Sequence, residues 1–304
     1  MNRRKFIVQT TKASVILSLG SIPLHALGRP EITKLVVLHT NDVHSRVDPF
    51  PMDGTRHQGQ GGVLRRAALI EEIRRSESNV LLFDSGDIFQ GTPYFNYFKG
   101  EIELKLMSAM GYDAATIGNH DFDAGIDGLA KQLPHANFPF VTSNYDFSDT
   151  PMAGKALTYQ VFEKGGVLIG VFGLGIQLYG LVPEAWYGRT QYLDPVSNGN
   201  SAARFLKRDL DCDYVICLSH LGYRYRDGKI DDIKLAAQSR DIDLILGGHT
   251  HTFMESPFIV KNRDQQPVVI NQVGWGGLIL GRLNIYLEPS RRRRCVTCEN
   301  LLVG

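Results

Sequence analysis

Apolar residues along the chain alternate between two patterns, which predict strands and helices in turn. Runs of β-branched and aliphatic residues at 34–40 (KLVVLHT) and 80–84 predict buried strands. Residues 63–75 instead carry apolar side chains at helical spacing, with arginines on the opposite face. Further strands are predicted at residues 114–117, 140–143, 214–218 and 243–246, and further helices at residues 101–110, 126–133, 200–210 and 233–239. The alternation predicts an α/β layered domain.

Two longer β-rich runs, residues 157–174 and 268–288, contain glycine turns and predict hairpins. A last strand is predicted beyond the arginines at 291–294. It carries Cys295-x-x-Cys298, a spacing found in metal and redox sites. Because no second cysteine pair accompanies it, two small residues in a strand are the preferred interpretation.

Composition excludes several classes of protein. In 304 residues, 43% hydrophobic content excludes a disordered chain, and 4 cysteines exclude a disulfide scaffold. A formal net charge of +1 gives no sign of a nucleic-acid-binding protein, so no nucleic acid polymer is expected as a partner.

The charge is unevenly distributed. Residues 1–26 contain Arg3, Arg4, Lys5 and Lys12 and no acidic residue, and the remainder of the chain has a net charge of −3. A basic start, a short apolar stretch and small residues near Ala26 are typical of a cleaved export signal, and the paired arginines before Phe6 resemble a twin-arginine signal. The sequence therefore predicts a leader at residues 1–26, a domain at residues 27–304, a periplasmic or extracellular location and no stable membrane insertion.

Chemically active residues follow the predicted strands. Five of the nine histidines occur where a predicted strand ends, each within two residues of Gly, Asp, Asn or another His. The segments are Asn41-Asp42-Val43-His44, Asp84-Ser85-Gly86-Asp87, Gly118-Asn119-His120-Asp121, Ser219-His220 and Gly247-Gly248-His249-Thr250-His251. Ligand sites in open α/β sheets lie beyond the carboxyl ends of strands, so this grouping predicts one metal site.

The residue types favour two metals. Asp42-x-His44 and His249-x-His251 are each expected to place two ligands on the same side of an extended segment. The carboxylate of Asp87 has two oxygens and can bridge two cations about 3.5–4 Å apart. Imidazole suits zinc, whereas carboxylate and amide oxygens also suit manganese or iron, so the identity of the metal stays open.

These motifs, in this order, resemble the calcineurin-like metallophosphoesterases, and most closely the catalytic domain of the 5′-nucleotidase family. The segments that carry the resemblance are HTNDVHSR (39–46), GGVLRRAALI (61–70), DSGDIFQGTPYFNYFKG (84–100), MGYDAATIGNHDFDAGIDGL (110–129), SHLG (219–222) and GGHTH (247–251). The resemblance implies a four-layer αββα sandwich of two mixed β-sheets flanked by helices.

The resemblance also implies a role for each site residue. It assigns Asp42, His44, Asp87 and His251 to one metal ion. It assigns Asp87, Asn119, His220 and His249 to the other. His120 is the implied catalytic histidine and Asp123 its partner, although an Asp at this position is also a common helix cap. For Asp121, helix capping or hydrogen bonding behind the ligands is expected.

Nucleotidases of this family carry a second domain that binds the nucleoside, and the chain is expected to lack it. A separate chain could supply that domain, or the enzyme could accept many small phosphate esters. Trp186, Tyr187 and Tyr192 are the aromatic residues available as a platform for a nucleoside base, with core packing as their default role.

The expected function is hydrolysis of nucleotides by a 5′-nucleotidase-like phosphomonoesterase. A 2′,3′-cyclic-nucleotide phosphodiesterase, a UDP-sugar hydrolase and an inactive phosphate-binding subunit remain alternatives.

Overall fold

Two β-sheets pack face to face, and helices cover the outer face of each. The computed structural model describes residues 32–288 and 294–304, so the predicted leader at residues 1–26 lies outside the described residues. The side chain of Cys295 lies outside them as well, while Cys298 is a free thiol. In the described part of the chain, no helix is both long and apolar enough to cross a membrane.

Thirteen strands are described. In chain order they are β1 (Thr33–Thr40), β2 (Val80–Asp84), β3 (Ala114–Ala115), β4 (Tyr145–Asp146), β5 (Tyr159–Lys164), β6 (Val167–Leu174), β7 (Gln191–Tyr192), β8 (Tyr214–Ser219), β9 (Leu244–Gly247), β10 (Phe258–Lys261), β11 (Pro267–Asn271), β12 (Ile279–Leu287) and β13 (Arg294–Leu302). The first sheet has the order β13-β12-β1-β2-β3 and the second β10-β11-β9-β8-β6-β5, with β4 and β7 forming a small separate pair.

Both large sheets are mixed. In the first, β1, β2 and β3 run parallel, and β12 pairs antiparallel with both β1 and β13. In the second, β11, β9, β8 and β6 run parallel, and β5 and β10 are antiparallel at the edges. Parallel strands end at the same edge of their sheet, which brings the segments after β1, β2 and β3 together.

Helices fill the connections between strands. They are α1 (Val63–Ser76), α2 (Pro93–Phe98), α3 (Glu101–Met110), α4 (Gly125–Gln132), α5 (Glu184–Tyr187), α6 (Pro195–Arg204) and α7 (Asp232–Gln238). Side chains cap two of them, because Asp194 accepts a hydrogen bond from the amide of Ser197, and Asp231 accepts one from the amide of Lys234. α3 spans the predicted residues 101–110 and is followed by Gly111 in a left-handed conformation.

Strand side chains alternate between two apolar layers. In β1, Leu35 and Val37 point into a cluster shared by both sheets, whereas Val36 and Leu38 pack in a second cluster with α1, α3 and α4. A third cluster lies between the second sheet and helices α6 and α7. Three apolar layers separate four structural layers, which confirms the αββα sandwich.

The structure confirms some of the predicted elements and contradicts others. Residues 157–174 do form a hairpin, β5–β6, whose turn contains Gly165 and Gly166 at positive φ. Residues 268–288 do not, since β11 and β12 belong to different sheets. Residues 140–143 make two isolated bridges rather than a strand, and the short helix α2 was missed. Periodicity identifies a buried strand but not the strand that it pairs with.

Candidate metal centre

Side chains from both sheets converge at one end of the sandwich. Asp42 and His44 follow β1, Asp87 follows β2, and Asn119 and His120 follow β3. The second sheet supplies the remaining histidines: His220 directly follows β8, and His249 and His251 follow β9. The structure thus brings the candidate metal ligands and His120 to the same rim.

Two groups of possible metal ligands form there. The first contains Asp42, His44 and His251, and the second contains Asp87, His220 and His249. Within each group the ligand atoms lie within 4.8 Å of one another.

Hydrogen bonds and short contacts place the first group. The Nε2 atoms of His44 and His251 are 3.0 Å apart, and the Nε2 of His251 is 3.3 Å from Oδ1 of Asp42. Asp42 also accepts hydrogen bonds from the amide of His249, at 3.1 and 2.9 Å. These two carboxylate contacts tie the strand end of the first sheet to that of the second.

Asp87 lies between the two groups. Its Oδ2 is 3.2 Å from Nε2 of His220 and 3.9 Å from Nε2 of His44. Its Oδ1 accepts a hydrogen bond of 2.7 Å from the amide of His120. One carboxylate therefore faces histidines of both groups, which is the position that a bridging ligand requires.

Five of these ligands have unusual backbone conformations. Asp42, His44, Asp87, His249 and His251 all have φ between 50° and 69°. The left-handed conformation costs a non-glycine residue roughly 1–3 kcal/mol, and residues that adopt it cluster at functional sites. The expectation that the Asp42 and His251 segments are extended was wrong, because tight turns rather than strand alternation bring the ligand pairs together.

Two observations test whether these residues fit metal ions. The Nδ1 atoms of His220 and His44 lie 2.7 Å and 3.3 Å from the backbone oxygens of Ser85 and Phe89. Because a carbonyl oxygen only accepts, each Nδ1 carries the hydrogen and each Nε2 lone pair faces the site. The buried Oδ1 of Asn119 has no hydrogen-bond partner among the described residues. A buried oxygen without a partner is costly, and a cation would satisfy it.

Electrostatics of the second group centre on one ion pair. Burial opposes charge on both Asp87 and His220, yet their mutual attraction lowers the pKa of Asp87 and raises the pKa of His220 to about 10. Burial lowers the pKa of His249 to about 4, and the neighbouring charge of His220 adds to this effect. Cation binding by this pair requires a neutral His220 and an ionised Asp87, since metal ligands bind in their deprotonated forms.

His120 forms a separate pair with Asp123. Its Nδ1 is 2.9 Å from Oδ2 of Asp123, and this hydrogen bond raises the pKa of His120 against the effect of burial. No side chain caps the first turn of α4, so the capping role weighed for Asp123 is not observed. The ring of His120 lies at the open rim, with its centroid 5.3 Å from that of His44.

Asp121 holds two loops of the site together. Its carboxylate accepts hydrogen bonds from the amides of Asp87, Ile88, Phe89 and Gly118, at 2.7–3.1 Å. The expectation of hydrogen bonding behind the ligands therefore describes its contacts. Burial raises the pKa of Asp121 to about 7, and the charge of Asp87 adds to the shift.

Asn41 and Trp275 also contribute to the site, although the sequence motifs assign neither of them a role. The Nδ2 of Asn41 donates to Oδ2 of Asp42 and to the backbone oxygen of Gly274, both at 2.6 Å. The ring of Trp275 stacks on His251. The motif Asn41-Asp42 was visible in the sequence, but nothing there linked residue 275 to the site.

The aromatic residues considered as a platform lie elsewhere. Tyr187 and Tyr192 pack against the core cluster on the outer side of the first sheet. Trp186 is 39% exposed on the short helix α5. Core packing, the default expectation, thus describes the two tyrosines.

Comparison with known proteins identifies the family. The family model of the calcineurin-like phosphoesterases matches residues 35–253, which include every candidate ligand. The chain belongs to the calcineurin-like phosphoesterase family. This phosphoesterase therefore belongs to a family of metal-dependent phosphoric ester hydrolases, for which two divalent metals are implied.

Several relatives of this phosphoesterase are 5′-nucleotidases. It is 34% identical to the snake venom 5′-nucleotidase of Gloydius brevicauda over 277 residues, covering 84% of this chain and 46% of the relative. It is 32% identical to the human 5′-nucleotidase over 297 residues, covering 91% and 50%. The chain spans about half the length of these curated relatives.

A solved structure agrees with the sequence relatives. The 5′-nucleotidase precursor of Thermus thermophilus superimposes with a TM-score of 0.79 at 31% identity, covering 89% of this chain and 55% of that one. The phosphoesterase thus has the fold of the N-terminal catalytic domain of 5′-nucleotidases.

Proposed function

We propose that this phosphoesterase hydrolyses phosphate monoesters of nucleotides with the help of two divalent metal ions. The observation that carries the proposal is the placement of Asp87 between two ligand groups, with the His120–Asp123 pair at the same rim. Similarity to 5′-nucleotidases supports nucleotides as the substrate class.

The ligand sets follow from the two groups. Asp42, His44, Asp87 and His251 would hold one ion, and Asp87, Asn119, His220 and His249 the other. Zinc, manganese and iron all suit this mixture of imidazole, carboxylate and amide ligands. Such a metal pair polarises a phosphoryl oxygen and supplies a water of lowered pKa as the nucleophile.

The protein's own residues prepare the leaving group. Asp123 accepts the hydrogen of Nδ1 of His120, which leaves Nε2 to carry the transferable proton. The raised pKa keeps this ring protonated at higher pH than an ordinary histidine. His120 would donate the proton to the alkoxide oxygen as its bond to phosphorus breaks, and Asp123 would keep the ring oriented.

We also propose that the enzyme is exported, as a periplasmic or extracellular protein. The twin-arginine-like segment at residues 1–26 supports this, and so does the name of one relative, a venom protein. Expressing the full chain in a bacterial host and recovering it from the periplasm, shortened near Ala26, is the expected result. Substituting Arg3 and Arg4 by Lys should keep the protein in the cytoplasm if the signal is of the twin-arginine type.

The enzymatic proposal is tested with the metal-loaded chain and three substrates: AMP, a 2′,3′-cyclic nucleotide and a UDP-sugar. We expect the highest kcat/KM with AMP. His120→Ala should lower kcat by about 10²–10⁴-fold while two metal ions remain bound. His135→Ala, which removes a histidine outside the site, is the matched control. Turnover of none of the three substrates with both metals bound would refute the enzymatic function, and loss of metal from His120→Ala would make His120 a ligand.

A further inference from the structure

Trp275 lies on a loop that hydrogen bonds fasten to the metal centre. Gly274, Gly276 and Gly277 surround it with φ between 62° and 75°, a conformation that glycine adopts without strain. The amide of Gly276 donates to the backbone oxygen of Asp42 at 2.7 Å, and the amide of Gly274 donates to that of Thr252 at 3.0 Å. The loop thus connects the turns that carry Asp42 and His251.

The indole of Trp275 contacts two other rings, those of His251 and Phe50. Its centroid is 5.9 Å from that of His251, and the two planes differ by 15°. The ring of Phe50 meets the indole edge-on at 5.3 Å, with an interplanar angle of 89°. Both geometries lie within the range of favourable aromatic pairs.

His251 lacks the anchor that two other ligands have. His44 and His220 each fix their ring through a hydrogen bond from Nδ1 to a backbone oxygen. Among the described residues, the only polar contacts of the His251 ring are those of Nε2, on the metal side. Its side chain is 40% exposed. The indole of Trp275, stacked on one face, and the edge of the His44 ring at 5.0 Å are therefore the ring contacts that limit rotation of His251.

We propose that Trp275 is a positioning residue that orients His251 for metal binding in the group formed with Asp42 and His44. The inference rests on the proposed dimetal site. It adds that the two histidines of this group are held differently, since the ring of His44 is anchored by a hydrogen bond and that of His251 by stacking. Loss of the indole should therefore weaken the binding of one metal ion and leave the binding of the other unchanged.

Zinc titration of the full chain tests this proposal without any substrate. Trp275→Leu removes the flat ring, Trp275→Phe keeps one, and Trp186→Phe is the control at an exposed position outside the site. In the control, competition with a chelator should show that the chain binds two zinc ions. We expect Trp275→Leu to bind one of them about 10- to 100-fold more weakly, the range found when groups that orient metal ligands are lost. Trp275→Phe should recover most of the affinity.

Two equally tight zinc ions in Trp275→Leu would overturn the proposal. An increase in KM with unchanged zinc binding would also overturn it, because the indole would then contact substrate. Should Trp275→Leu fail to fold, Trp186→Phe gives a second readout, since the chain has 2 tryptophans and Trp275 is then the sole tryptophan fluorophore. Its emission should change in step with the binding of one zinc, and a constant emission would contradict the stacking role. A chain that binds two zinc ions but hydrolyses nothing would refute the proposed function alone.

Discussion

Substitution of Gly118 by alanine should damage the metal centre although it adds only one methyl group. A Cβ atom built there would overlap Oδ1 and the amide nitrogen of Asp87, and would lie 2.8 Å from Cε1 of His220. Contacts below 3.0 Å are essentially never observed for real Cβ atoms. Gly118→Ala therefore forces the Asp87 carboxylate or the loop that carries it to move by several tenths of an ångström.

The cost can be estimated from the neighbours. Asp87 and His220 are fully buried, so neither can move into solvent. Overpacking of a buried site costs roughly 1–3 kcal/mol of folding stability. Displacement of a catalytic group by about 1 Å lowers the rate by up to about 10²-fold. We expect Gly118→Ala to lose between about 10- and 100-fold in kcat/KM, together with weaker metal binding.

Gly228→Ala provides the matched control, because no atom lies within 4 Å of its Cβ position and its φ is ordinary. Both variants should be compared in hydrolysis of AMP, in metal content and in urea unfolding. Gly228→Ala should behave like the parent chain. If Gly118→Ala retained full activity and two metals, Asp87 would not be confined as described, and its assignment as a fixed bridging ligand would fail.

Three further outcomes follow from the site. Asp123→Asn should move the alkaline limb of the kcat–pH profile to lower pH, because Asp123 raises the pKa of the His120 acid and a less basic ring loses its proton sooner; an unchanged limb would exclude His120 as the acid. Asp121→Ala leaves four backbone amides without their acceptor and should lower the free energy of unfolding by roughly 3 kcal/mol or more, measured in urea. Removal of metal by a chelator should lower Tm by on the order of 10 °C, since a ligand at about 1,000 times its Kd stabilises the folded state by about 4 kcal/mol. Scanning calorimetry with and without zinc measures this shift, and a Tm that does not depend on metal would contradict a metal site in the folded chain.

Local patterns predicted most strands and helices of this fold, and their limits have a physical cause. β1 and β8 are buried on both faces, so they appear as continuous apolar runs that composition identifies readily. The same signal does not specify partners, which is why β11 and β12 were joined in one hairpin although they lie in different sheets. The single turn-and-a-half of α2, PYFNYF, is too short for a helical period to emerge.

Knowledge of the site divides in a similar way. Residues directly after parallel strands were predictable, because the strand ends of an α/β fold meet at one edge. For Asp123 the sequence left both a cap and a histidine partner open, and the contact with His120 distinguishes them. Trp275 lies 24 residues beyond His251 in the sequence, and its loop reaches the centre through backbone hydrogen bonds that no side-chain pattern encodes.

The candidate ligands come from both sheets, and this has a consequence for the order of folding. His44 and His251, whose Nε2 atoms are 3.0 Å apart, are separated by 207 positions in the sequence. A cation held by both closes a very long loop, which becomes possible only after the two sheets have packed. Metal binding should therefore follow the rate-limiting step of folding. Added zinc would then slow unfolding while leaving the refolding rate nearly unchanged.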